Sequence, residues 1–454
     1  MILFDGIAMR IELPNPNAFA QLFNALFKVE LSVYPRGLAT DSREVHPGDG
    51  YVAIRGDRVD GHQFLEEVAV SGGVLALVQH PIKGIDLLQV PVPDPVKAVG
   101  RLARAWREQY QIPVIAITGS NGKTTTRELI KQILTAKYRV HGTEGNFNTS
   151  IGLPLTLLTL TEDYNCTVLE MGANRPGDIA ELCAIALPTH GLITNVAPAH
   201  LEGFGSIQEI ACTKGALFDA LKAGVAFVNY SDILIKAQPV QGKMISYGFT
   251  PDCDFPADIH EETNGTFTLT IDTHKLATKS QNISFAKNIL PAVTVTRTFG
   301  LDWDTIQKRI LQFEPPAGRC QIRQSRGLTV IDDSYNANLE STLAAIDYLN
   351  AIRGNGQRIF VFGDMLELGN SSAEQHKQVG KKCESVRLSA VFTIGKESKV
   401  TDEQLKSIPV HEHFNDQQVL LAALEKQIRK GDKILIKGSR GMKMETIVEA
   451  LVED

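Results

Sequence analysis

The residues most suited to chemistry lie in one short stretch, Thr-Gly-Ser-Asn-Gly-Lys-Thr-Thr at 118–125. The apolar run at 114–117 indicates a buried strand before it, and apolar residues at helical spacing from Leu129 onward indicate a helix after it. A glycine turn between strand and helix lets backbone N–H groups converge on phosphate oxygens, and the positive end of the helix dipole adds attraction. We therefore predict a nucleotide phosphate loop made of Gly119, Ser120, Asn121, Gly122, Lys123, Thr124 and Thr125.

Two side chains of this loop have the chemistry that phosphoryl transfer needs. Lys123 would reach the β- and γ-phosphates, and the Thr124 hydroxyl would bind Mg²⁺. The spacing Gly-x-x-Gly-Lys-Thr is two residues shorter than the common Walker pattern. The alternative is an ordinary strand-to-helix turn that contains Gly-Lys-Thr, which the flanking strand and helix disfavour.

Three further residues of the same region could act with the loop. Glu170 closes a predicted strand at 167–171, where a carboxylate points into the crevice of a parallel sheet and could hold Mg²⁺. Taken alone, it is equally well explained as a solvated strand end. Taken alone, His200 is more simply a hydrogen-bonded structural histidine, and Lys214 a solvated charge.

Polar clusters also occur near both ends of the chain. Asp-Asp-Ser-Tyr-Asn-Ala-Asn at 332–338 follows a predicted strand, and Arg319 and the stretch 437–440 supply cations in the same region. Thr-Asp-Ser-Arg at 40–43 is consistent with a locally hydrogen-bonded loop, but a polar loop with one Arg could equally hold a diphosphate.

The elements that must position these residues indicate an α/β protein with three domains. We expect a small N-terminal α/β domain at 1–83 and a central, doubly wound, mostly parallel sheet at 84–313. A Rossmann-like α/β domain is expected at 314–454. Short apolar strands alternate with helices in the two larger domains, which favours parallel sheets covered on both faces. Strict alternation at 266–271 predicts a small antiparallel piece, and the turn-rich stretch 314–318 is the candidate hinge.

Composition narrows the class of protein. The chain has 454 residues, and its net charge of −6 with no basic stripe argues against a nucleic-acid partner. Its six cysteines are scattered without a Cys-x-x-Cys pair, which indicates neither zinc nor a disulfide framework. We find no signal peptide at the N-terminus and no apolar stretch of membrane-spanning length. We therefore expect a cytoplasmic protein, and a monomer, although the sequence does not fix the oligomeric state.

Taken together and in this order, the motifs resemble the Mur ligase family. Besides the loop and the clusters at 40–43 and 332–338, the resemblance rests on five stretches: Gly145-Asn-Phe-Asn148 with 151–154, Glu-Met-Gly-Ala-Asn at 170–174, Ala-His-Leu-Glu-Gly-Phe-Gly at 199–205, Gly-Asp-Met-Leu-Glu-Leu-Gly at 363–369 and Lys-Gly-Ser-Arg at 437–440.

This resemblance implies an activity. The expected reaction joins D-alanyl-D-alanine to UDP-N-acetylmuramoyl-tripeptide, with ATP first activating the acceptor carboxylate as an acyl phosphate. The alternatives are the relative that adds the third amino acid, a phosphate-loop kinase and a non-catalytic nucleotide-binding regulator. The implied partners are then these small-molecule substrates, and the implied cofactors are ATP and two Mg²⁺ ions. The sequence does not distinguish lysine from diaminopimelate at the third peptide position.

The resemblance also implies roles for single residues. Lys123, Thr124 and Arg319 would act on the ATP phosphates and the first Mg²⁺, and Glu170, His200 and a carbamylated Lys214 on a second Mg²⁺. The remaining residues implied are Asn288 and Asp333 for adenine and ribose, Thr40, Asp41, Ser42 and Arg43 for the uridine diphosphate, Asn148 for the muramoyl peptide, and Asn336, Asn338 and Ser439 for the dipeptide end.

The sequence departs from the family pattern at three positions. Asn-Ile-Ser-Phe at 282–285 stands where Gly-x-His-Asn is usual, so a purine contact is expected to be lost or replaced. Thr149 replaces a common Asn, and Ala216 a frequent Glu. Since we expect only ATP and substrates to bridge the central and C-terminal domains, we also expect those domains to lie apart without ligands.

Overall fold

The structure is a computed structural model that describes residues 9–56 and 59–453. The N-terminal segment 1–7, in which we expect no signal peptide, lies outside the described residues. Within the described part, the chain forms three separate sheets with helices packed on their faces. The three-domain α/β architecture expected from the sequence is confirmed. No helix in this part of the chain is long and apolar enough to cross a membrane.

The first sheet has five strands in sequential order, with one antiparallel pair at its N-terminal edge and parallel pairs elsewhere. Its strands and helices are β1 (Arg10–Glu12), α1 (Pro16–Phe27), β2 (Gly37–Ala39), β3 (Gly50–Val52), α2 (Leu65–Val70), β4 (Leu75–Val78) and β5 (Leu88–Pro91). Short 3₁₀ turns cover Ser42–Glu44 and Gly61–Phe64.

The first sheet continues beyond residue 83, the boundary expected from the sequence, because β5 pairs in parallel with β4. Strand β5 lies at the sheet edge, and Leu88 and Pro91 are exposed while Val90 is buried. A half-exposed edge strand of four residues lacks the continuous apolar run by which buried strands are recognised.

The central sheet has nine strands in the order β14-β13-β12-β11-β10-β9-β6-β8-β7. All pairs from β12 across the sheet to β7, including those of the central strand β6, are parallel. The β12-β13-β14 edge is antiparallel, as the alternation at 266–271 predicts. Its strands are β6 (Val114–Thr118), β7 (Val140–Gly142), β8 (Cys166–Glu170), β9 (His190–Ile193), β10 (Val225–Asn229), β11 (Lys243–Gly248), β12 (Phe255–Glu261), β13 (Phe267–Ile271) and β14 (His274–Ala277).

Helices cover both faces of the central sheet. They are α3 (Pro95–Arg107), which connects the first sheet to it, α4 (Lys123–Leu134), α5 (Gly152–Leu158), α6 (Asp178–Ala186), α7 (Leu201–Phe204), α8 (Ile207–Asp219), α9 (Ile233–Lys236), α10 (Ile283–Thr298) and α11 (Trp303–Leu311). One core joins α3, α5, α6 and α8 to the first sheet, and a second lies under α4, α10 and α11. The first two domains therefore share a continuous hydrophobic core.

The third sheet has six strands in the order β15-β16-β20-β17-β18-β19, parallel except for β15. Separate cores on its two faces identify a doubly wound unit. Its elements are β15 (Gln321–Ser325), β16 (Leu328–Asp333), α12 (Leu339–Ala351), β17 (Arg358–Gly363), α13 (Ser372–Glu384), β18 (Ala390–Ile394), α14 (Lys399–Asp402), β19 (Val410–Phe414), α15 (Gln417–Gln427), β20 (Lys433–Lys437) and α16 (Glu445–Val452), with 3₁₀ turns at Gly369–Ser371 and Arg440–Met442.

Candidate active site

A cleft of about 2450 Å³ lies between the three domains, and residues from all of them line it. The lining includes every candidate site residue named from the sequence except Thr124. Thr124 lies in an adjoining cavity of about 590 Å³, and Arg319 lines both spaces. The fold therefore gathers residues that are almost 400 positions apart in the chain, from Thr40 to Ser439, around one space.

The phosphate loop runs from the end of β6, a fully buried central strand, to the first turn of α4. Gly119 has φ +150, and a Cβ there would lie 1.9 Å from the Thr194 hydroxyl oxygen. Gly122 has φ +78, and a Cβ there would lie 2.5 Å from the Asn288 side-chain oxygen. Both positions therefore require glycine, for backbone conformation and for space.

Hydrogen bonds to the segment that follows β9 hold the loop in place. The Thr194 hydroxyl donates to the Asn121 carbonyl (2.6 Å), and the Asn195 side chain accepts from the Asn121 N–H (2.8 Å). The Ser120 hydroxyl donates to the Ala197 carbonyl (2.9 Å). The loop is thus fixed by the segment that follows β9, as well as by its own glycines.

Lys123 folds over the loop that carries it. Its Nζ donates to the Gly119 carbonyl at 2.8 Å, while the side chain lies at the cleft surface. Burial lowers its pKa, Arg319 lowers it further, and Glu170 acts in the opposite direction. The Lys123 amine is therefore close enough to Glu170 and Arg319 for their charges to influence its protonation. Thr125 also lines the cleft, two residues further along in the first turn of α4.

Arg319 crosses from the C-terminal domain to the phosphate loop. Its guanidinium donates to the Thr124 hydroxyl oxygen at 3.3 Å and lies over the Tyr335 ring, 4.0 Å from the centroid. The aromatic face holds the planar cation in one orientation, because guanidinium groups stack on aromatic rings. This places a fixed positive charge beside the loop.

Glu170 is buried at the end of β8 and is paired on both carboxylate oxygens. Arg127 of α4 donates to one oxygen (3.1 Å), and the Asn148 amide donates to the other (2.7 Å). The Glu170 and Arg127 side chains are each 3% exposed. The solvated strand-end interpretation of Glu170 is therefore wrong, since this carboxylate is buried with a matched cation.

His200 lies immediately before α7 and faces the C-terminal domain. Its Nδ1 contacts the carboxylate of Glu367, which belongs to the loop after β17. Hydrogen bonding from His200 lowers the pKa of the Glu367 carboxyl. Both residues have left-handed backbone conformations, with φ +53 and +61.

Lys214 lies in the middle of α8 and is 3% exposed, so it is no solvated surface charge. Burial, followed by the nearby Lys123 cation, lowers its pKa to about 7. A large part of this amine is therefore neutral near neutral pH, unlike a free lysine with a pKa of about 10.4.

The buried carboxylate of Glu170 can accommodate a divalent cation. Each Glu170 oxygen receives one hydrogen bond, and a carboxylate has about four lone-pair positions, so both oxygens keep acceptor capacity. Among the residues that the structure describes, no group of three or more His, Cys, Asp or Glu side chains could hold a metal by itself. A Mg²⁺ ion here would be bound by few protein ligands together with phosphate oxygens, as is usual for this ion.

Asp333 ends β16 and is held by two donors. The Lys437 amine donates to one oxygen (2.5 Å), and the Cys320 N–H donates to the other (3.2 Å). Lys437 also donates to the Asn336 carbonyl (3.0 Å), which fixes the turn that follows the strand. The polar cluster at 332–338 is therefore organised by a lysine from the neighbouring strand β20.

Helix α12 begins against the phosphate loop. Asn338 caps its N-terminus and donates to the Asn121 side chain (2.7 Å). Glu340 accepts from the side-chain amides of Asn121 (2.6 Å) and Asn195 (3.0 Å). The expectation that only ATP and substrates bridge these domains is wrong, because protein side chains join them directly.

Ser439 faces the cleft after β20, but its hydroxyl is engaged. It accepts from the Leu366 N–H (2.8 Å) and approaches the Ala337 carbonyl (3.4 Å). Ser439 therefore supports the loop that carries Glu367.

The polar cluster at 40–43 has features of both interpretations of its sequence, a locally hydrogen-bonded loop and a loop that could hold a diphosphate. Asp41 caps a 3₁₀ turn and pairs with Arg43 (2.5 Å), which lowers the pKa of Asp41, and the Ser42 hydroxyl donates to Glu67 (3.1 Å). Thr40 contacts the Met9 carbonyl. The cluster is locally bonded, yet it lines the cleft, and the Arg43 side chain, although paired with Asp41, is 71% exposed and can reach a ligand anion.

The departures from the family pattern have local explanations. Phe285 is buried and stacks on Phe313, with 5.4 Å between ring centroids. The Thr149 hydroxyl lies 3.4 Å from the Gly152 N–H at the start of α5. Ala216 packs against the core that the first two domains share.

Sequence reasoning missed Arg127, Glu340 and Glu367 as contributors to this site. Arg127 had a detectable signal, since it shares a helix face with the buried apolar residues Ile130 and Leu134, where an unpaired cation would be costly. Glu340 and Glu367 contact another domain, which no local pattern reveals.

Comparison with known protein families identifies the class. The Mur ligase family catalytic domain matches residues 36–107, the Mur ligase middle domain residues 117–296, and the Mur ligase glutamate ligase domain residues 318–440. The chain belongs to the Mur ligase family.

Individual relatives are more specific. The chain is 36% identical over 432 residues to UDP-N-acetylmuramoyl-tripeptide–D-alanyl-D-alanine ligase of Escherichia coli strain K12, covering 92% of this chain and 94% of that protein. It is 34% identical over 429 residues to the ligase of the same name from Bacillus subtilis strain 168, with 92% and 93% covered.

Solved structures give the same result. The fold matches a crystal structure of MurF from Acinetobacter baumannii with a TM-score of 0.85 and 29% identity, covering 96% of this chain and 98% of that one. MurF from Thermotoga maritima in complex with ADP matches with a TM-score of 0.78 and 30% identity, over 91% and 96% of the chains.

Proposed function

We propose that this chain is an ATP-dependent ligase that joins D-alanyl-D-alanine to UDP-N-acetylmuramoyl-tripeptide. The products are the UDP-muramoyl-pentapeptide, ADP and phosphate. The observation that supports this most directly is the single cleft in which the phosphate loop meets polar residues of the other two domains. A kinase or nucleotide-binding regulator would have no use for so many polar groups from three domains, and the relatives of this chain carry the ligase name.

The reaction proceeds through an activated carboxylate. A carboxylate resists attack by an amine, so the γ-phosphoryl group of ATP is transferred to it to give an acyl phosphate. The dipeptide amine then attacks the acyl carbon, a C–N bond forms, and phosphate leaves with the C–O bond electrons. Bringing ATP and a carboxylate together opposes two negative charges, which Lys123 and Arg319 offset from the two sides of the loop.

Mg²⁺ supplies further charge neutralisation at the phosphates when it is bound. Thr124, at the start of α4, is the proposed protein contact of the first ion. Glu170, His200 and Lys214 are the proposed contacts of the second. Arg127 and Asn148 orient the Glu170 carboxylate toward this role.

The three domains divide the substrates between them. Residues 40–43 of the N-terminal domain hold the uridine diphosphate, and Asn148 of the central domain faces the muramoyl peptide. Asn288 and Asp333 contact adenine and ribose, while Asn336, Asn338 and Ser439 shape the dipeptide end. The segment 314–318 between α11 and β15 is the proposed hinge for closure, which excludes water from the acyl phosphate. Action in the cytoplasm as a monomer is part of this proposal.

One assay separates the alternatives. Phosphate release from ATP is measured with UDP-muramoyl-tripeptide, with and without D-alanyl-D-alanine, and with both lysine- and diaminopimelate-containing tripeptides. A ligase releases phosphate in proportion to pentapeptide formed and depends on the dipeptide. A phosphorylated product that accumulates without the dipeptide would indicate a kinase, and no turnover would indicate a regulator. Turnover with the UDP-muramoyl-dipeptide and a free amino acid would indicate the related ligase.

Lys214 is proposed to be carbamylated in the active enzyme. Its neutral amine attacks CO₂, a C–N bond forms, one C=O π pair moves onto oxygen, and the amine proton passes to solvent. The product is a carbamate of charge −1 that can bind Mg²⁺ where an ammonium would repel it. Burial and the lowered pKa of Lys214 favour the neutral amine that this reaction requires.

This modification predicts a rescue experiment. Lys214→Ala should lose nearly all activity, and a short carboxylic acid such as acetate should restore part of it by filling the place of the carbamate. Protein equilibrated with ¹³C-labelled CO₂ should show a carbamate carbon signal that Lys214→Ala lacks. Full activity of Lys214→Ala without acid, or no difference in the carbon spectrum, would remove the carbamate from the mechanism.

A further inference from the structure

The loop at 363–369 is the part of the C-terminal domain that contacts His200, and it is firmly anchored. The buried Asp364 carboxylate accepts from three consecutive backbone N–H groups, at 2.8, 3.1 and 2.7 Å, which belong to Lys396, Glu397 and Ser398. Three donors on one carboxylate fix the start of the loop to the end of β18.

The next two residues are anchored as well. The Met365 N–H donates to Nε2 of the fully buried His376 (3.1 Å), and the Leu366 N–H donates to the Ser439 hydroxyl (2.8 Å). The backbone is therefore held residue by residue up to Glu367, so the position of the Glu367 carboxylate is set by the C-terminal domain.

Glu367 meets the central domain at two points. Its carboxylate contacts His200 Nδ1, and its carbonyl accepts from the Glu202 N–H (3.3 Å). His200 and Glu367 have φ of +53 and +61, in the left-handed region that residues other than glycine seldom adopt because it is strained. Two strained residues that face each other across a domain interface are more typical of a functional contact than of a passive one.

The atom that Glu367 contacts has a chemical consequence. An ionised carboxylate only accepts hydrogen bonds, so the proton of a neutral His200 ring must reside on Nδ1. The lone pair is then on Nε2, the nitrogen that remains to bind a cation. Histidines that ligate metals usually donate their other ring N–H in this way, and the partner fixes both tautomer and ring orientation.

We propose that Glu367 is a positioning residue for His200, which holds the ring with Nε2 available to the second divalent cation. This inference rests on the proposed function, since it assumes the metal role of His200. Because the carboxylate comes from the C-terminal domain and the ring from the central domain, docking of the two domains completes the cation site. Metal binding and domain docking are therefore coupled through one side-chain contact.

A histidine spectrum tests the contact without any turnover. In protein labelled with ¹⁵N-histidine, above about pH 7.5 where histidine is ordinarily neutral, the His200 ring should show a protonated Nδ1 and an unprotonated Nε2. His200→Ala assigns this signal among the 11 histidines. Glu367→Ala should lose the Nδ1-protonated signature, whereas Glu367→Gln, whose amide oxygen can still accept, should retain it in part.

Cation affinity tests the consequence. Mn²⁺ binding to nucleotide-free enzyme, followed by electron paramagnetic resonance, should weaken about tenfold to a hundredfold in Glu367→Ala and less in Glu367→Gln. The control is Glu374→Gln, which removes an equal charge from an exposed position on the same domain and should leave the affinity unchanged. Melting curves of each variant establish that the domains remain folded.

The outcomes separate this inference from the proposed function. Weaker Mn²⁺ binding in both His200→Ala and Glu367→Ala, with the change of tautomer, supports the inference. Weaker binding in His200→Ala alone overturns the role of Glu367 and leaves the metal site intact. Unchanged Mn²⁺ binding in His200→Ala overturns both the role of Glu367 and the metal role of His200, because His200 then has no cation to bind.

Discussion

The phosphate loop and the cluster of Glu170, His200 and Lys214 line the same cleft but are built in different ways. The loop is continuous in sequence, and its glycine conformations and its place between β6 and α4 define its shape. The cluster combines the end of β8, the residue before α7 and the middle of α8. Two of its side chains also have partners outside the cluster, Arg127 for Glu170 and Glu367 for His200.

This difference predicts different responses to mutation. A loop residue that faces the ligand contributes little to the hydrophobic cores, so its loss should affect the reaction and spare the fold. Within the cluster, Glu170 and Lys214 are buried, and Glu170 is paired with the buried Arg127, so a change at such a position should affect both the reaction and the fold. The three changes that follow test this contrast, beginning with the largest expected effect.

Lys123→Ala should abolish turnover and leave the fold intact. Its amine donates to the Gly119 carbonyl and is proposed to offset phosphate charge during transfer, so kcat should fall on the order of 10³-fold or more, about 4 kcal/mol of barrier. Steady-state phosphate release and a melting curve measure the two effects separately.

Lys222→Ala is the matched control for that change, because it removes the same charge from an exposed position outside the cleft. Near-normal kcat in Lys123→Ala, with native melting, would refute the phosphate-loop assignment. A large loss of stability in Lys123→Ala would instead remove the contrast between the two regions.

Arg127→Met should destabilise the central domain. It leaves the buried Glu170 carboxylate without its cation, and removal of one partner from a buried pair costs about 3 kcal/mol or more. Both tryptophans of the chain, Trp106 and Trp303, pack on cores of the central sheet, so tryptophan fluorescence during denaturant unfolding reports on this region.

Two further variants show how the result for Arg127→Met should be interpreted. Arg104→Met breaks an exposed pair with Glu108, in which both side chains are about half exposed, and should change stability by only about 0.5 kcal/mol. Glu170→Gln in the Arg127→Met background should recover part of the loss, because it removes the unpaired charge. Equal, small losses of stability in Arg127→Met and Arg104→Met would show that burial of the Arg127–Glu170 pair does not make it more important for stability than an exposed pair.

The same contrast explains how much of the molecule could be predicted. The strand and the helix beside the loop, and the proposed role of Lys123, follow from local patterns of apolar and glycine residues. The burial of Lys214 and the pairing of Glu170 do not, because both depend on residues brought together by the fold. Contacts such as His200 with Glu367 join positions 167 residues apart on two domains, and no spacing rule applies to them. Strand β5 was missed for a simpler reason, its half-exposed edge position.

Glu340→Gln should have the smallest effect of the three. Glu340 is exposed and accepts from two neutral side-chain amides of the phosphate-loop region, at Asn121 and Asn195. The glutamine oxygen can accept in its place, so the change replaces charge-assisted hydrogen bonds by neutral ones and costs about 1 kcal/mol.

Two opposing effects of Glu340→Gln on ATP use can be ranked by size. Weaker docking of α12 on the loop lowers kcat/KM for ATP about fivefold, as expected for a cost of about 1 kcal/mol. Removing the carboxylate also relieves repulsion of the phosphates, but unit charges about 10 Å apart in water interact by only about 0.4 kcal/mol. We therefore expect a modest decrease in kcat/KM, together with a loss of Mn²⁺ affinity in nucleotide-free enzyme of no more than about fivefold, since weaker docking reaches the cation site only through the Glu367 contact. An increase in kcat/KM would mean that repulsion dominates and that the α12 contact is absent from the working arrangement of the domains. A loss of Mn²⁺ affinity as large as that of Glu367→Ala would mean that docking, rather than the carboxylate of Glu367, controls the cation site.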